Sequence, residues 1–115
     1  MATILLNEAD PMRHKQLRTQ LQRQGHNVWS ASHLNDIVST LHDVAVDLMI
    51  LDLDNHRLDD LAAFADRWRG VKILFQASYF DPRQDFRSWM ADHFVSKSNH
   101  DETVVQTVDE LLMAA

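Results

Sequence analysis

Between Asp47 and Asp54 the polarity of the chain switches abruptly. Leu48, Met49, Ile50 and Leu51 follow one another without a polar residue, and acids flank them at Asp47, Asp52 and Asp54. A short unbroken apolar run fits a strand buried on both faces of a parallel sheet, because a half-exposed strand would alternate. Asp47–Asp52 is therefore predicted as a strand, with others at Thr3–Leu6, His26–Trp29, Val71–Phe75 and His93–Val95. Between them apolar residues recur every three or four positions, the repeat of a helix packed along one stripe. A first helix opens at Asp10-Pro11, buries Leu17 and Leu21 and stops at Gly25, with Asp as N-cap and Pro at the first helical position. Its remaining residues, Arg13, His14, Lys15, Gln16, Arg18 and Arg23 among them, are mostly polar and are predicted to face water. A second helix, capped by Ser30 or Ser32, carries Leu34, Ile37, Val38 and Leu41. A third runs from about Leu58 to Gly70 with Leu61, Ala62, Ala65 and Trp68 on one side. Gln76 to Phe80 reads as a loop, and Asp81-Pro82 then starts a short fourth helix carrying Phe86, Trp89 and Met90. Ser98 and Asn99, with Asp101 and Glu102 three residues on, match a capping box. The last helix carries Val104, Val108, Leu111 and Leu112.

Five strands alternating with five helices imply one α/β domain over residues 1–115, a doubly wound parallel sheet between two helical layers. The composition, 45% hydrophobic with three Trp, supplies a core. The absence of cysteine excludes disulfides and thiolate chemistry and suits a reducing compartment. A net charge of -6 disfavours nucleic acid and anionic membranes as partners. No apolar run is long enough to span a membrane, and the opening residues lack a basic region, so a cytoplasmic protein without a signal peptide is expected. The two glycines, Gly25 and Gly70, both read as helix stops, which leaves no phosphate-cradling loop of the Rossmann or P-loop kind. The loop Asn7-Glu8-Ala9-Asp10 is acidic and would repel the phosphate of a flavin nucleotide.

Asp52 ends its strand on the edge where open α/β sheets bind ligands. A carboxylate there must be solvated, paired or used. His56 follows closely, and Asp52, Glu8 and His56 together have the chemistry of a transition-metal site; the plainer reading is an exposed loop histidine. His14, His26, His33, His42 and His100 lie on separate elements and read as surface residues, and His93 as a strand-edge residue.

The residues at the strand ends resemble the receiver (CheY-like) domain of two-component response regulators, over the whole chain. Ile4-Leu5-Leu6-Asn7-Glu8-Ala9-Asp10-Pro11 is similar to the family's strand, acids and proline. Asp47-Leu48-Met49-Ile50-Leu51-Asp52 is similar to the strand that ends in the phosphoacceptor, with Asp59 where that motif has a further Asp. Phe94-Val95-Ser96-Lys97 is similar to its aromatic-x-x-Lys segment. The resemblance implies a flavodoxin-like (βα)5 three-layer sandwich with a five-stranded parallel sheet. By position it implies Asp52 as phosphoacceptor and Lys97 as the cation that neutralises a phosphoryl oxygen. Glu8, Asp52 and the backbone carbonyl of Asp54 become Mg²⁺ ligands, and Gln76 takes the place of the hydroxyl residue that bonds the phosphoryl group. Phe94 becomes the switch aromatic, with Trp89 and Phe86 on the same output face. The implied partners are a sensor histidine kinase, which the first helix would dock, and a downstream target protein. A homodimer through the fourth helix, fifth strand and last helix is a further implication. The chemistry suits these residue types: a carboxylate that attacks phosphate must overcome like-charge repulsion, which a hard cation and a lysine offset.

The chain departs from the pattern at defined places. Ala9 stands where the second acid and direct Mg²⁺ ligand belongs, Gln76 where Thr or Ser belongs, and Ser98 where Pro follows the lysine. His56-Arg57 replaces Pro-Gly, and the stretch from Asp52 to Gln76 is shorter than in the family. Glu8 or Asp10 is placed to reach into the gap left by Ala9, and Gln76 either fills the phosphate's space or bonds Asp52. Two functions follow. One is a receiver that takes phosphate on Asp52 and relays it through protein contacts. The other is an atypical pseudo-receiver, a phosphorylation-independent adaptor locked by Gln76 and Ala9. Neither makes the chain an enzyme in its own right. The 115 residues are taken up by the one domain, so DNA binding is not expected of this chain.

Overall fold

In the computed structural model the described residues are 2–54, 70–78, 92–97 and 101–113. They form strands β1 (Thr3–Leu6), β2 (Asn27–Ser30), β3 (Leu48–Asp52), β4 (Lys72–Ala77) and β5 (His93–Ser96). Helices α1 (Pro11–Arg23), α2 (Leu34–Asp43) and α3 (Asp101–Met113) are interleaved with them. All neighbouring strands pair in parallel, in the order β2-β1-β3-β4-β5. This is the expected flavodoxin-like α/β fold. The predicted helices at 58–70 and 81–90 lie outside the described residues, as do the capping residues Ser98 and Asn99.

The central strands β1, β3 and β4 are buried on both sides because they alternate between two cores, while the edge strand β2 buries only Val28. Ile4, Leu6, Leu48, Ile50, Leu74 and Val95 meet Leu17 and Leu21 of α1 and Val104, Val105 and Val108 of α3. The intervening residues Leu5, Met49, Leu51, Ile73 and Phe75 meet Ile37 and Leu41 of α2. That two-residue period explains why β3 is apolar at every position before Asp52.

Local signals set the helix ends. Asp10 is extended (φ -72°, ψ 115°), and its carboxylate accepts from the N–H groups of Met12 and Arg13, as the N-cap reading requires. At the other end Gly25 has φ 91°. The Gly25 N–H donates to the Gln22 carbonyl at 3.0 Å and the His26 N–H to the Leu21 carbonyl at 3.2 Å, the paired bonds of a Schellman stop.

Four expectations need correction. The N-cap of α2 is His33, not Ser30 or Ser32; its N–H donates to Asp36 Oδ2 at 3.3 Å, while Ser30 still belongs to β2. Gln76 and Ala77 are not loop but the end of β4. The ladder carries them there: Leu53 N–H donates to the Gln76 carbonyl and Lys97 N–H to the Ala77 carbonyl. His26 is not a surface residue, because its side chain is only 10% exposed and its Nε2 lies 3.2 Å from Asp109 on α3. His14 on α1 is half-buried rather than free in solvent. No described helix is long and apolar enough to cross a membrane.

Candidate functional site

The sheet order reverses between β1 and β3, and such a switch point leaves a crevice at the strands' carboxyl ends. Asn7 and Glu8 follow β1, Asp52 ends β3, Gln76 lies beside it in register on β4, and Lys97 follows β5. The topology thus draws five polar side chains, far apart in sequence, to one rim.

Asn7 builds the floor. It is 2% exposed, and its Oδ1 accepts the Asp52 N–H at 3.2 Å. Its Nδ2 donates to the carbonyls of Ala31 at 2.8 Å and Ser32 at 3.3 Å. One side chain therefore fastens the ends of β1 and β3 to the turn before α2.

Asp52 has no exposed surface. Lys97 Nζ lies 2.7 Å from its Oδ1, which also accepts the Asp54 N–H at 3.0 Å. Its Oδ2 accepts the Ala9 N–H at 3.2 Å. Lys97 Nζ is also 3.0 Å from Asp54 Oδ2 and 3.5 Å from Glu8 Oε1, so one ammonium faces three carboxylates. Burial alone would lower the Lys97 pKa, but the bonds to Asp52 and Asp54 and the charge of Glu8 outweigh it and hold the group above 10.5. Burial works to raise Asp54, yet the Ser78 N–H and Lys97 prevail and keep it below 3.8. Ser78 completes that contact by donating its hydroxyl to Asp54 Oδ2 at 2.8 Å.

The second half of the site joins the expected Glu8 and Gln76 to a residue the sequence did not single out, Arg13. Glu8 is 6% exposed. Gln76 Nε2 donates to Glu8 Oε2 at 2.8 Å, and Arg13 Nη2 donates to Gln76 Oε1 at 3.0 Å. Arg13 Nε stands 3.6 Å from Glu8 Oε2, a Coulombic contact too long for a hydrogen bond. Arg13 therefore does not face water as the polar helix suggested; its side chain is 14% exposed. The reason is geometric. A helix that starts at the rim places its first turn over the crevice, and Arg13 is the third residue of α1. An arginine one turn past an acidic strand-end loop was the available signal. Burial pushes the Glu8 carboxyl above 4.5; the Asp10 N–H, Lys97 and Arg13 pull against that, while Asp52 adds to it. A cleft of about 440 Å³ opens over Glu8, Asp10, Arg13, Ser78 and Lys97, with the Asp52 carboxylate beneath it.

Glu8, Asp52, Gln76 and Lys97 thus meet at one place. Gln76 spends its amide on Glu8 and Arg13, and Asp10 keeps its cap role. Phe94 on β5 is half-buried and packs against the core that contains Phe75. Phe86, Trp89, His56, Asp59 and the peptide bond into Ser98 lie outside the described residues.

The donor set argues against a divalent cation. Mg²⁺ takes oxygen ligands in near-octahedral array and is bound through carboxylates whose charge it neutralises. Here Lys97 and Arg13 already offset two of the three carboxylate charges of Glu8, Asp52 and Asp54, and Ala9 brings no oxygen from its side chain. Among the described residues no three acids or histidines are placed to hold a metal ion. These residues do not fit the ion that the sequence resemblance implied.

No protein-family model and no curated protein matches the chain. Solved structures do. A response regulator from Thermotoga maritima superposes with a TM-score of 0.86 at 15% identity, covering 99% of each chain. The response regulator TrrA from the same organism, in complex with Mg²⁺–BeF, gives 0.83 at 25% identity, over 96% of this chain and 99% of that one. A complex of histidine kinase ThkA with TrrA gives 0.81 at 25% identity, over 99% of this chain and 100% of that one. The chain is thus an open, all-parallel α/β domain with a buried acid at its switch point. Its fold is that of the response-regulator structures it superposes on.

Proposed function

We propose that this chain is a receiver-type module of two-component signalling that works through protein–protein contact, with an acidic pocket neutralised from within rather than by Mg²⁺-dependent phosphorylation of Asp52. The observation that carries this reading is the state of Asp52. It has no exposed surface, and each of its oxygens is occupied by a lysine or a backbone N–H. A carboxylate nucleophile needs a free oxygen lined up with the incoming phosphorus and a cation to offset the charge. Here the cation is bonded to the carboxylate itself. The partner is a protein, of the kind that TrrA meets in its complex with histidine kinase ThkA. The module binds and does not catalyse, and its place is the cytoplasm.

A second reading keeps Asp52 as phosphoacceptor. It is favoured by the convergence of Glu8, Asp52 and Lys97 at the carboxyl end of the sheet, beneath an open cleft. The two readings separate in one experiment: incubation with acetyl phosphate and MgCl2, followed by intact mass at neutral pH, with Asp52→Asn as control. The adaptor reading expects an unchanged mass and no tryptophan fluorescence response to beryllofluoride. An adduct that is lost in Asp52→Asn would overturn it.

A further inference from the structure

The residue of this pocket that the family resemblance did not imply is Arg13. Its guanidinium enters from the first turn of α1 and lies against Glu8 on one side and Gln76 on the other. Gln76 in turn donates to the same Glu8 oxygen that faces Arg13 Nε. The three side chains close a triangle that joins the end of β1, the start of α1 and the end of β4. We propose that Arg13 is a second resident cation of the pocket, beside Lys97. It supplies the positive charge that a metal ion would otherwise bring to Glu8, and through Gln76 it fixes α1 to β4 without any ion. This deepens the reading of a pocket neutralised from within, and rests on it.

The physical case has three parts. Glu8 is almost fully buried, and a buried carboxylate requires a close cation to stay charged. Lys97 cannot serve it alone, since its ammonium is shared with Asp52 and Asp54 at shorter distances. Arginine suits the remaining task, because its planar fork stays charged and can hold an amide oxygen while standing against a carboxylate. Ala9 complements this: its side chain is exposed and leaves the carboxylate inventory of the rim one short, which matches a pocket already holding two cations.

The test is divalent-cation dependence measured without reference to phosphorylation. Thermal melts are compared in millimolar MgCl2 and in NaCl of equal ionic strength, and Mn²⁺ binding is followed by electron paramagnetic resonance. The wild type is expected to melt at the same temperature in both salts and to leave Mn²⁺ free. Arg13→Met, which keeps the stem and removes the charge, is expected to melt several degrees lower, roughly 5 °C in NaCl, and to regain part of that loss in MgCl2. Arg13→Lys should remain indifferent to the choice of salt. Should Arg13→Met fail to fold, Ala9→Asp in the wild-type background decides instead. With Arg13 in place it should bind Mn²⁺ no more than about threefold better than the wild type, because the guanidinium repels the ion, whereas in Ala9→Asp/Arg13→Gln, which keeps a polar side chain but loses the charge, binding should strengthen.

Mn²⁺ binding by the wild type, or an Arg13→Met protein that melts alike in both salts, would overturn the proposal. The underlying reading fails separately. A phosphoryl adduct on Asp52 that forms without Mg²⁺ and disappears in Arg13→Met removes the adaptor function but retains Arg13 as cation. An adduct that requires Mg²⁺ removes both.

Discussion

Lys97 is the residue on which the site's electrostatics converge. It is 17% exposed and faces three carboxylates, two of them fully buried. Breaking a buried pair from one side leaves an uncompensated charge, which costs about 3 kcal/mol or more. Lys97→Met should therefore lower the unfolding free energy measured by urea titration by that order, although methionine fills much the same volume. The loss has a pH signature. The folded pKa of Lys97 is raised above 10.5, so its stabilisation is complete below 10.5 and fades as pH rises through the folded value. The wild type's advantage over Lys97→Met should be constant near neutrality and shrink in strongly alkaline buffer; an advantage unchanged there would refute the assignment. Asp52 was legible as a site candidate from the apolar pattern that places it at a strand end, and Glu8 and Lys97 from the resemblance of the strand-end residues to receiver domains. Arg13 was not, since helix polarity alone does not reveal which residue of a polar face turns toward a crevice.

At the scale of the element, Asn7 decides whether the rim holds its shape. Its side chain satisfies the Asp52 N–H and two carbonyls of the turn before α2. Asn7→Ala would leave these buried groups without partners and should destabilise the fold by about 2 kcal/mol. The accompanying change should be local: amide hydrogen exchange should quicken at Asp52 and around Ala31, and stay slow at α3. Uniform acceleration across the sheet would show instead that Asn7 holds up the whole core. The strand boundaries tell a related story. The sequence placed Gln76 in a loop because glutamine breaks the apolar run, whereas pairing with β3 on one side and β5 on the other extends β4 through Ala77. That extension fixes Gln76 beside Asp52, where its amide is directed at Glu8.

At the scale of the whole molecule, one sheet serves two cores. Met49 and Ile50 are adjacent in sequence, each without exposed surface, yet they belong to opposite faces. Met49→Ala and Ile50→Ala should each lower stability by about 2–5 kcal/mol. Both should do so in a single transition seen alike by circular dichroism and tryptophan fluorescence, because neither helical layer has a sheet of its own. Separate transitions for the two variants would contradict this shared support. The far end of the molecule adds a tie that the sequence hid: His26, just before β2, is joined to Asp109 of α3, a partner 83 positions away.

The sequence by itself determined the alternation of strands and helices, the burial of β3, the caps of α1 and the edge at which Asp52 must emerge. These follow from local periodicity and backbone preference, which act over a few residues. Only the tertiary structure decided which charges neutralise which. The pairing of Lys97 with Asp52, the reach of Arg13 across Glu8 to Gln76, and the burial of His26 against Asp109 depend on where distant segments are brought by the sheet order. A side chain's charge is written in the chain, but the partner that makes its burial tolerable is chosen by the fold.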